Sequence, residues 1–117
     1  MKCEKLDVWK VSARLAADVY RHLADIKDYG FKDQITRAAL SIPSNIAEGM
    51  EKASNKEQLR FLEIAKGSAA EFATQTWIGI EIDYIPKETG KEWVQKSQQL
   101  LGMITNLAKS IKDKNDT

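Results

Sequence analysis

The sequence contains very few of the residues that build catalytic and metal sites. Among its 117 residues, His22 is the only histidine and Cys3 is the only cysteine. A Ser-His catalytic arrangement or a histidine-based metal site would therefore depend on His22 alone. Because one cysteine cannot form a disulfide within the chain, we expect a reducing, cytoplasmic compartment.

Acidic residues do not supply an alternative active site. Glu48, Glu71 and Glu81 fall on different predicted helices, and three carboxylates without a histidine make a poor metal site. The Glu-x-x-His pairs that di-iron helical bundles use do not occur in the sequence. We therefore predict that the protein is not an enzyme and that it binds no metal, cofactor or small-molecule substrate.

Long apolar runs are also missing. The sequence has no stretch of about 18 apolar residues, so we expect no membrane-spanning helix and no membrane partner. The opening residues MKCEKLDVWK carry charges throughout, and we expect no signal peptide. The length predicts a single domain, which we assign to residues 1–113, followed by a disordered polar tail over residues 114–117.

Neither sign of charge is in excess. The 18 Lys and Arg side chains against 17 Asp and Glu side chains give a formal net charge of +1, which argues against a strongly basic nucleic-acid-binding protein. Local clusters of cations leave two interpretations open, namely solvated helix faces or a surface that binds RNA or another nucleic acid. The candidate phosphate contacts are Lys10, Arg14, Arg21, Arg37, Lys96, Lys109 and Lys112.

Apolar residues recur three and four positions apart along most of the chain, which is typical of amphipathic helices. The pattern predicts helices over residues 6–23 and about 31–52, with a break at Gly30 between them. A third helix follows Ser54 and ends between residues 82 and 86. A fourth follows Thr89. Ser54 with Glu57, and Thr89 with Glu92, have the spacing of N-terminal capping boxes. Four helices with short connections predict an all-α, antiparallel up-down four-helix bundle.

The stretch LSIPSNIAEG, residues 40–49, places a proline within the second helical pattern. A proline inside a helix removes a donor and clashes with the carbonyl four residues before it, at a cost of about 3 kcal/mol. We predict that Pro43 kinks the second helix rather than ending it. Polar residues recur on one side of this helix, and we predict that they form a buried hydrogen-bond network within the bundle or between subunits: Arg37, Ser41, Ser44, Asn45 and Glu48.

The three tryptophans divide into two groups. Trp9 and Trp93 lie on the apolar stripes that we assign to the core. Trp77 lies off the core stripe of the third helix, and with Ile78 and Ile80 it indicates a second apolar face. A helix with two apolar faces in a small bundle is typical of a subunit interface, so the sequence predicts oligomerisation.

The segments QITRAALSIPSNIAEG and FLEIAKGSAAE resemble a family of small bacterial four-helix-bundle proteins, many of them encoded by intervening sequences in 23S rRNA genes. A related branch is the accessory protein of diversity-generating retroelements. The resemblance implies a ring-like homopentamer, and for the retroelement branch it implies association with nucleic acid and a reverse transcriptase. It assigns structural or interface roles to nine motif residues: Gln34, Arg37, Ser41, Pro43, Asn45, Glu48, Gly49, Ser68 and Glu71.

Two functions follow from these observations. The first is a non-catalytic oligomeric scaffold or adaptor of the 23S rRNA intervening-sequence type, whose family has no settled biochemical role. The alternative is an RNA- or other nucleic-acid-binding accessory protein that uses the basic helix faces. In both cases the expected partner is the protein itself, and in the second case a nucleic acid as well.

Overall fold

The computed structural model describes residues 1–115, and these form an all-α four-helix bundle as predicted. After a 3-10 turn at Lys2–Lys5 come four helices: α1 (Asp7–His22), α2 (Tyr29–Met50), α3 (Asn55–Glu81) and α4 (Lys87–Asn115). No strand occurs within the described range. None of the helices in that range is both long enough and apolar enough to cross a bilayer. The up-down order and the kink at Pro43 stay predictions.

The core is built from the inner stripe of each helix. Trp93 and Phe72 are its largest buried side chains, and their rings lie 6.1 Å apart. Trp9 packs against the core from its margin, so both tryptophans that the periodicity assigned to the core contact it. Cys3 belongs to the 3-10 turn and is fully buried, and this turn contacts α2.

Side-chain caps start two of the helices. Asp28 Oδ1 accepts a hydrogen bond from Phe31 N at 3.1 Å, so α2 begins at Tyr29 and Gly30 lies in its first turn rather than at a break. Ser54 Oγ accepts from Glu57 N at 3.1 Å, which is one half of the predicted capping box. The Glu57 carboxylate instead pairs with Arg60 at 3.1 Å, and this hydrogen bond lowers the pKa of Glu57.

The second predicted capping box, at Thr89 and Glu92, is wrong. Helix α4 already begins at Lys87, directly after Pro86, so Thr89 lies inside it. Proline fits just before or at the first turn because the first amides of a helix have no acceptor within it. Pro86 O accepts from Gly90 N at 2.9 Å, which closes the first turn without a side-chain cap.

Helix α3 ends at Glu81, directly before the segment 82–86 in which the sequence predicts its end, and the connection that follows is tight. Gly79 O accepts hydrogen bonds from Tyr84 N at 2.9 Å and from Ile85 N at 3.1 Å. Asp83 has a positive φ of 63°, a left-handed conformation that reverses the chain. Tyr84 OH then donates to Asp28 Oδ2 at 3.0 Å, and this bond raises the pKa of Tyr84 and ties the connection to the start of α2.

The last turn of α4 overlaps the predicted tail. The helix includes Lys114 and continues to Asn115, whereas the tail was predicted over residues 114–117. Asp116 and Thr117 lie outside the described residues. The domain boundary at residue 113 stays a prediction.

Substitution of Gly79 tests how closely the helices pack at this end. A Cβ at Gly79 would lie 2.9 Å from both Ile85 Cγ1 and Phe31 Cζ. Gly79→Ala should therefore lower the free energy of unfolding by about 1–3 kcal/mol through overpacking, which exceeds the helix-propensity gain of about 1 kcal/mol. The control is Gly102→Ala on α4, where nothing lies within 4 Å and the propensity gain should stabilise the fold. Equal urea midpoints for the two variants would contradict this packing.

Candidate functional site

Three motif residues meet in a polar cluster at the seam between α2 and α3. Asn45 Nδ2 donates to Ser41 Oγ at 2.8 Å and to Ser41 O at 2.7 Å. Ser41 Oγ lies 2.8 Å from Ser68 Oγ, which bonds to Ile64 O at 3.1 Å. Because Ser68 donates to that carbonyl, the Ser41 hydroxyl is the donor between the two serines. The cluster is thus a directed chain of hydrogen bonds across the seam.

The other polar residues of the predicted network do not join this cluster. Arg37, Ser44 and Glu48 are exposed, so these three are not part of a network buried within the bundle, and their burial between subunits stays a prediction. Ser41 and Asn45 are only partly exposed, and both hydrogen-bond within the cluster at the α3 seam. Arg37 Nε instead pairs with Asp33 at 2.9 Å, which raises the pKa of Arg37.

The remaining motif residues divide between packing and surface. Pro43 and Gly49 are buried in α2, and a Cβ at Gly49 would lie 2.9 Å from Phe61 Cβ. Gly49 therefore permits close contact between α2 and α3. Gln34 and Glu71 are exposed, and Glu71 Oε1 accepts from the Gln75 amide at 3.2 Å.

The candidate cations are all exposed but do not form one surface. Arg14, Arg21 and Lys96 line a common groove of about 350 Å³ between α1 and α4. Lys109 lines a separate recess near the end of α4, and neither Lys10 nor Lys112 lines the α1/α4 groove. The structure therefore brings together three of the seven predicted phosphate contacts.

The same α1/α4 groove contains an interaction that the sequence did not predict. Trp93 Nε1 donates to Asp18 Oδ2 at 2.9 Å, and Asp18 Oδ1 lies 3.2 Å from His22 Nδ1. The His22 ring stands perpendicular to the Trp93 ring with centroids 5.7 Å apart. Glu92 adds a second acid to the groove lining. His22 is half-exposed at the edge of the core, and within residues 1–115 no three His, Cys, Asp or Glu side chains cluster closely enough to hold a metal ion.

An apolar groove of about 590 Å³ runs between α1 and α2. Small side chains form much of its walls, and Leu40 is left exposed at its edge. We name this surface the apolar groove, and its principal lining residues are Trp9, Ala13, Ala17, Leu40, Pro43 and Ala47.

A second apolar surface lies on the outside of α3. Ile64, Ile78 and Ile82 are each between 40% and 45% exposed, and their spacings of 14 and 4 residues place them on one side of the helix. We name this stripe the α3 ridge. Trp77 is 61% exposed on an adjacent part of the same helix. Two of the three residues predicted for a second face, Trp77 and Ile78, are therefore exposed.

Ile80, the third residue of that predicted face, lies elsewhere. It packs against the core over Gly90, where a Cβ would overlap the end of the Ile80 side chain. The missing side chain at Gly90 opens a space in α4 that Ile80 fills. A pattern read along α3 alone does not reveal this space, because it belongs to a different helix.

Removing Asn45 tests the polar cluster. Asn45→Ala deletes both hydrogen bonds to Ser41 and should lower the free energy of unfolding by about 1–2 kcal/mol. Ser44→Ala is the matched control, because Ser44 is exposed on the same turn of α2 and should change stability by less than about 0.5 kcal/mol. Thermal or urea denaturation would measure both. If the two variants were equally stable, the hydrogen bonds of the polar cluster would not contribute to the stability of the fold.

Comparison with known proteins gives a family and a fold. A family model described as 23S rRNA-intervening sequence protein matches residues 4–106. Among solved structures, the chain is similar to a protein with unknown function from the S23 ribosomal protein family of Bacteroides thetaiotaomicron, with a TM-score of 0.81 and 24% sequence identity. That alignment covers 87% of this chain and 98% of that chain, and at this identity it shows the fold alone. No curated protein matches the chain. Because the family model spans most of the residues, including the whole motif around Pro43, the chain belongs to the 23S rRNA-intervening sequence protein family.

Proposed function

We propose that the protein is a non-catalytic homo-oligomer, a helical scaffold or adaptor that acts in the cytoplasm. The number of subunits that we propose is five, as the resemblance implies. The function is the organisation of other molecules around a symmetric assembly rather than a chemical reaction. The subunits of the assembly would be held together by apolar surfaces that a single subunit leaves exposed.

The observation that carries this proposal is the exposure of large apolar side chains on α3. Trp77, Ile64 and Ile78 lie on α3, Ile82 caps its C-terminal end, and none of the four is buried. Full burial of side chains of this size contributes about 1.5–3 kcal/mol each. Exposed apolar side chains that lie close together commonly mark interaction sites, and Trp77, Ile78 and Ile82 are close together at the end of α3. The near-neutral net charge of +1 also opposes association only weakly.

Sedimentation velocity tests the assembly directly. At tens of micromolar, the protein should sediment with a mass several times that of the 13.2 kDa chain. Ile78→Arg, which places a charge in the α3 ridge, should shift the population toward monomer. Gln98→Arg, an equally conspicuous change at an exposed position of α4, should leave the mass unchanged. A clean 13.2 kDa monomer for the unmodified chain would exclude the proposed function.

Nucleic-acid binding is a second candidate function, and one observation favours it. Arg14, Arg21 and Lys96 converge on the α1/α4 groove, and within residues 1–115 none of the three has an ion-pair partner. Unpaired cations on one surface suit a phosphate backbone, because affinity grows with the number of phosphates neutralised. Asp18 and Glu92 in the same groove reduce the positive potential there.

A gel-shift assay with structured RNA distinguishes a nucleic-acid-binding protein from a scaffold that binds no nucleic acid. If it holds, binding at low salt should weaken steeply as salt is added, because each phosphate contact releases counterions. Replacing Arg14, Arg21 and Lys96 with Gln should make the negative slope of log affinity against log salt shallower by about 2–3. The control replaces Lys109 and Lys112, which lie outside the groove. No shift at micromolar protein in about 50 mM salt would rule out this candidate, since phosphate contacts bind most tightly at low salt.

A further inference from the structure

We propose that a recess between α1 and α2 binds unpaired nucleotides of a nucleic acid, with tyrosine rings against the bases and cations against the phosphates. This inference rests on the nucleic-acid candidate above and assigns base contacts to a surface outside the α1/α4 groove. The recess has a volume of about 810 Å³, and we name it the tyrosine recess. Its lining residues are Tyr20, Ala24, Tyr29, Gly30, Lys32, Asp33 and Thr36.

Two of the three tyrosines in the chain are exposed in this recess. Tyr20 is 46% exposed and Tyr29 is 70% exposed, and within residues 1–115 neither hydroxyl group has a hydrogen-bond partner. Tyr84, in contrast, donates to Asp28 Oδ2, and its ring meets the Phe31 ring edge to face at 5.2 Å. The fold therefore uses Tyr84 and leaves much of the other two rings open to a ligand.

The lining favours a flat aromatic ligand over an aliphatic one. Beside the two tyrosine rings it offers only the small residues Ala24, Gly30 and Thr36, and among the described residues no leucine, isoleucine, valine, methionine or phenylalanine lines it. The apolar groove differs in this respect, because Leu40 and Pro43 line it. Exposed tyrosine rings stack on nucleobases of any sequence, since every base has a π face. In a duplex the neighbouring bases cover those faces, so the recess suits unpaired nucleotides.

A cation lies directly beside one of the rings. Lys32 Nζ is 5.4 Å from the centre of the Tyr29 ring and donates a hydrogen bond to Ala24 O at 3.0 Å. An ammonium group has three protons to donate, and within the described range Lys32 forms no ion pair. Two of its protons are therefore available to phosphate oxygens.

Arg37 extends the positive charge beyond the edge of the recess. Its hydrogen bond with Asp33 raises its pKa and the Tyr20 phenol adds to this shift, so the guanidinium lies near Tyr20. Asp33 is the one acid among the described lining residues, and because Arg37 neutralises it, Lys32 leaves a net positive charge. Cations interleaved with aromatic rings are the combination that single-strand-binding surfaces use. The sequence predicted Arg37 as a phosphate contact, and this arrangement gives it a place outside the α1/α4 groove.

Fluorescence anisotropy with a labelled RNA of about ten nucleotides that cannot fold on itself tests the tyrosine recess. At about 50 mM salt, the full chain should bind this RNA more tightly than the same RNA annealed to its complement. Tyr29→Ala should weaken binding by about 5- to 150-fold, and Tyr29→Phe, which keeps the ring, should restore most of the affinity. Lys32→Gln should make the negative slope of log affinity against log salt shallower by about 0.7. Lys91→Gln, at an exposed position of α4 outside the recess, should leave the slope unchanged.

The possible results separate this inference from the functions proposed above. Circular dichroism first establishes that each variant keeps its helicity, and Tyr29→Leu is the second variant without a ring if Tyr29→Ala does not fold. If the variant without a ring binds as tightly as the unmodified chain, or if the duplex binds as tightly as the single strand, the recess does not hold unpaired bases, even where structured RNA binds through the α1/α4 groove. If no RNA binds, the nucleic-acid candidate is wrong as well, while the homo-oligomer still depends on sedimentation alone. Weaker binding without the ring, restored by Tyr29→Phe, supports the tyrosine recess.

Discussion

The close packing of α2 against α3 is the constraint on which the rest of the structure depends. At one end of the seam, Gly49 leaves no room for a side chain because Phe61 fills the space beside it. In its middle, Ser41 and Ser68 are small enough for their hydroxyls to meet at 2.8 Å. At the other end, Gly79 gives space to Phe31. Small side chains along the whole seam fix the distance between the two helices, and α1 and α4 then pack on this pair.

A narrow seam has a consequence for the outer surfaces. When two helices approach closely through small residues, their larger apolar side chains point either into the common core or outward. On α3, Leu62 and Phe72 point inward and are fully buried, while Ile64 and Ile78 remain outside. A bundle of this size has too little interior to cover every apolar residue. The exposed ridge is therefore a product of the same packing that stabilises the subunit.

The sequence predicted the parts of this fold that depend on local periodicity. All four helices begin and end within a few residues of their predicted limits, because the core stripe repeats along each helix. The Ser54 cap was also predictable, since its partner lies three residues away. Contacts between distant segments were not predictable: Asp18 has the spacing of a partner for Arg14, yet it bonds Trp93, 75 residues along the chain. The same limit applies to Ile80, whose burial depends on Gly90 in another helix.

The stretch around Pro43 connects the inside of the subunit to its surface. One side of this part of α2 carries Ser41 and Asn45, which hydrogen-bond across the seam. The opposite side carries Leu40 and Pro43, which line the apolar groove. The ring of Pro43 adds an apolar, rigid surface to the groove, while its missing amide proton leaves the carbonyl of Ala39 without its usual donor in the helix. A change in this segment alters both the packing of α3 and the shape of the groove. Packing against α3 and the shape of the groove together account for the buried and half-buried residues of this stretch.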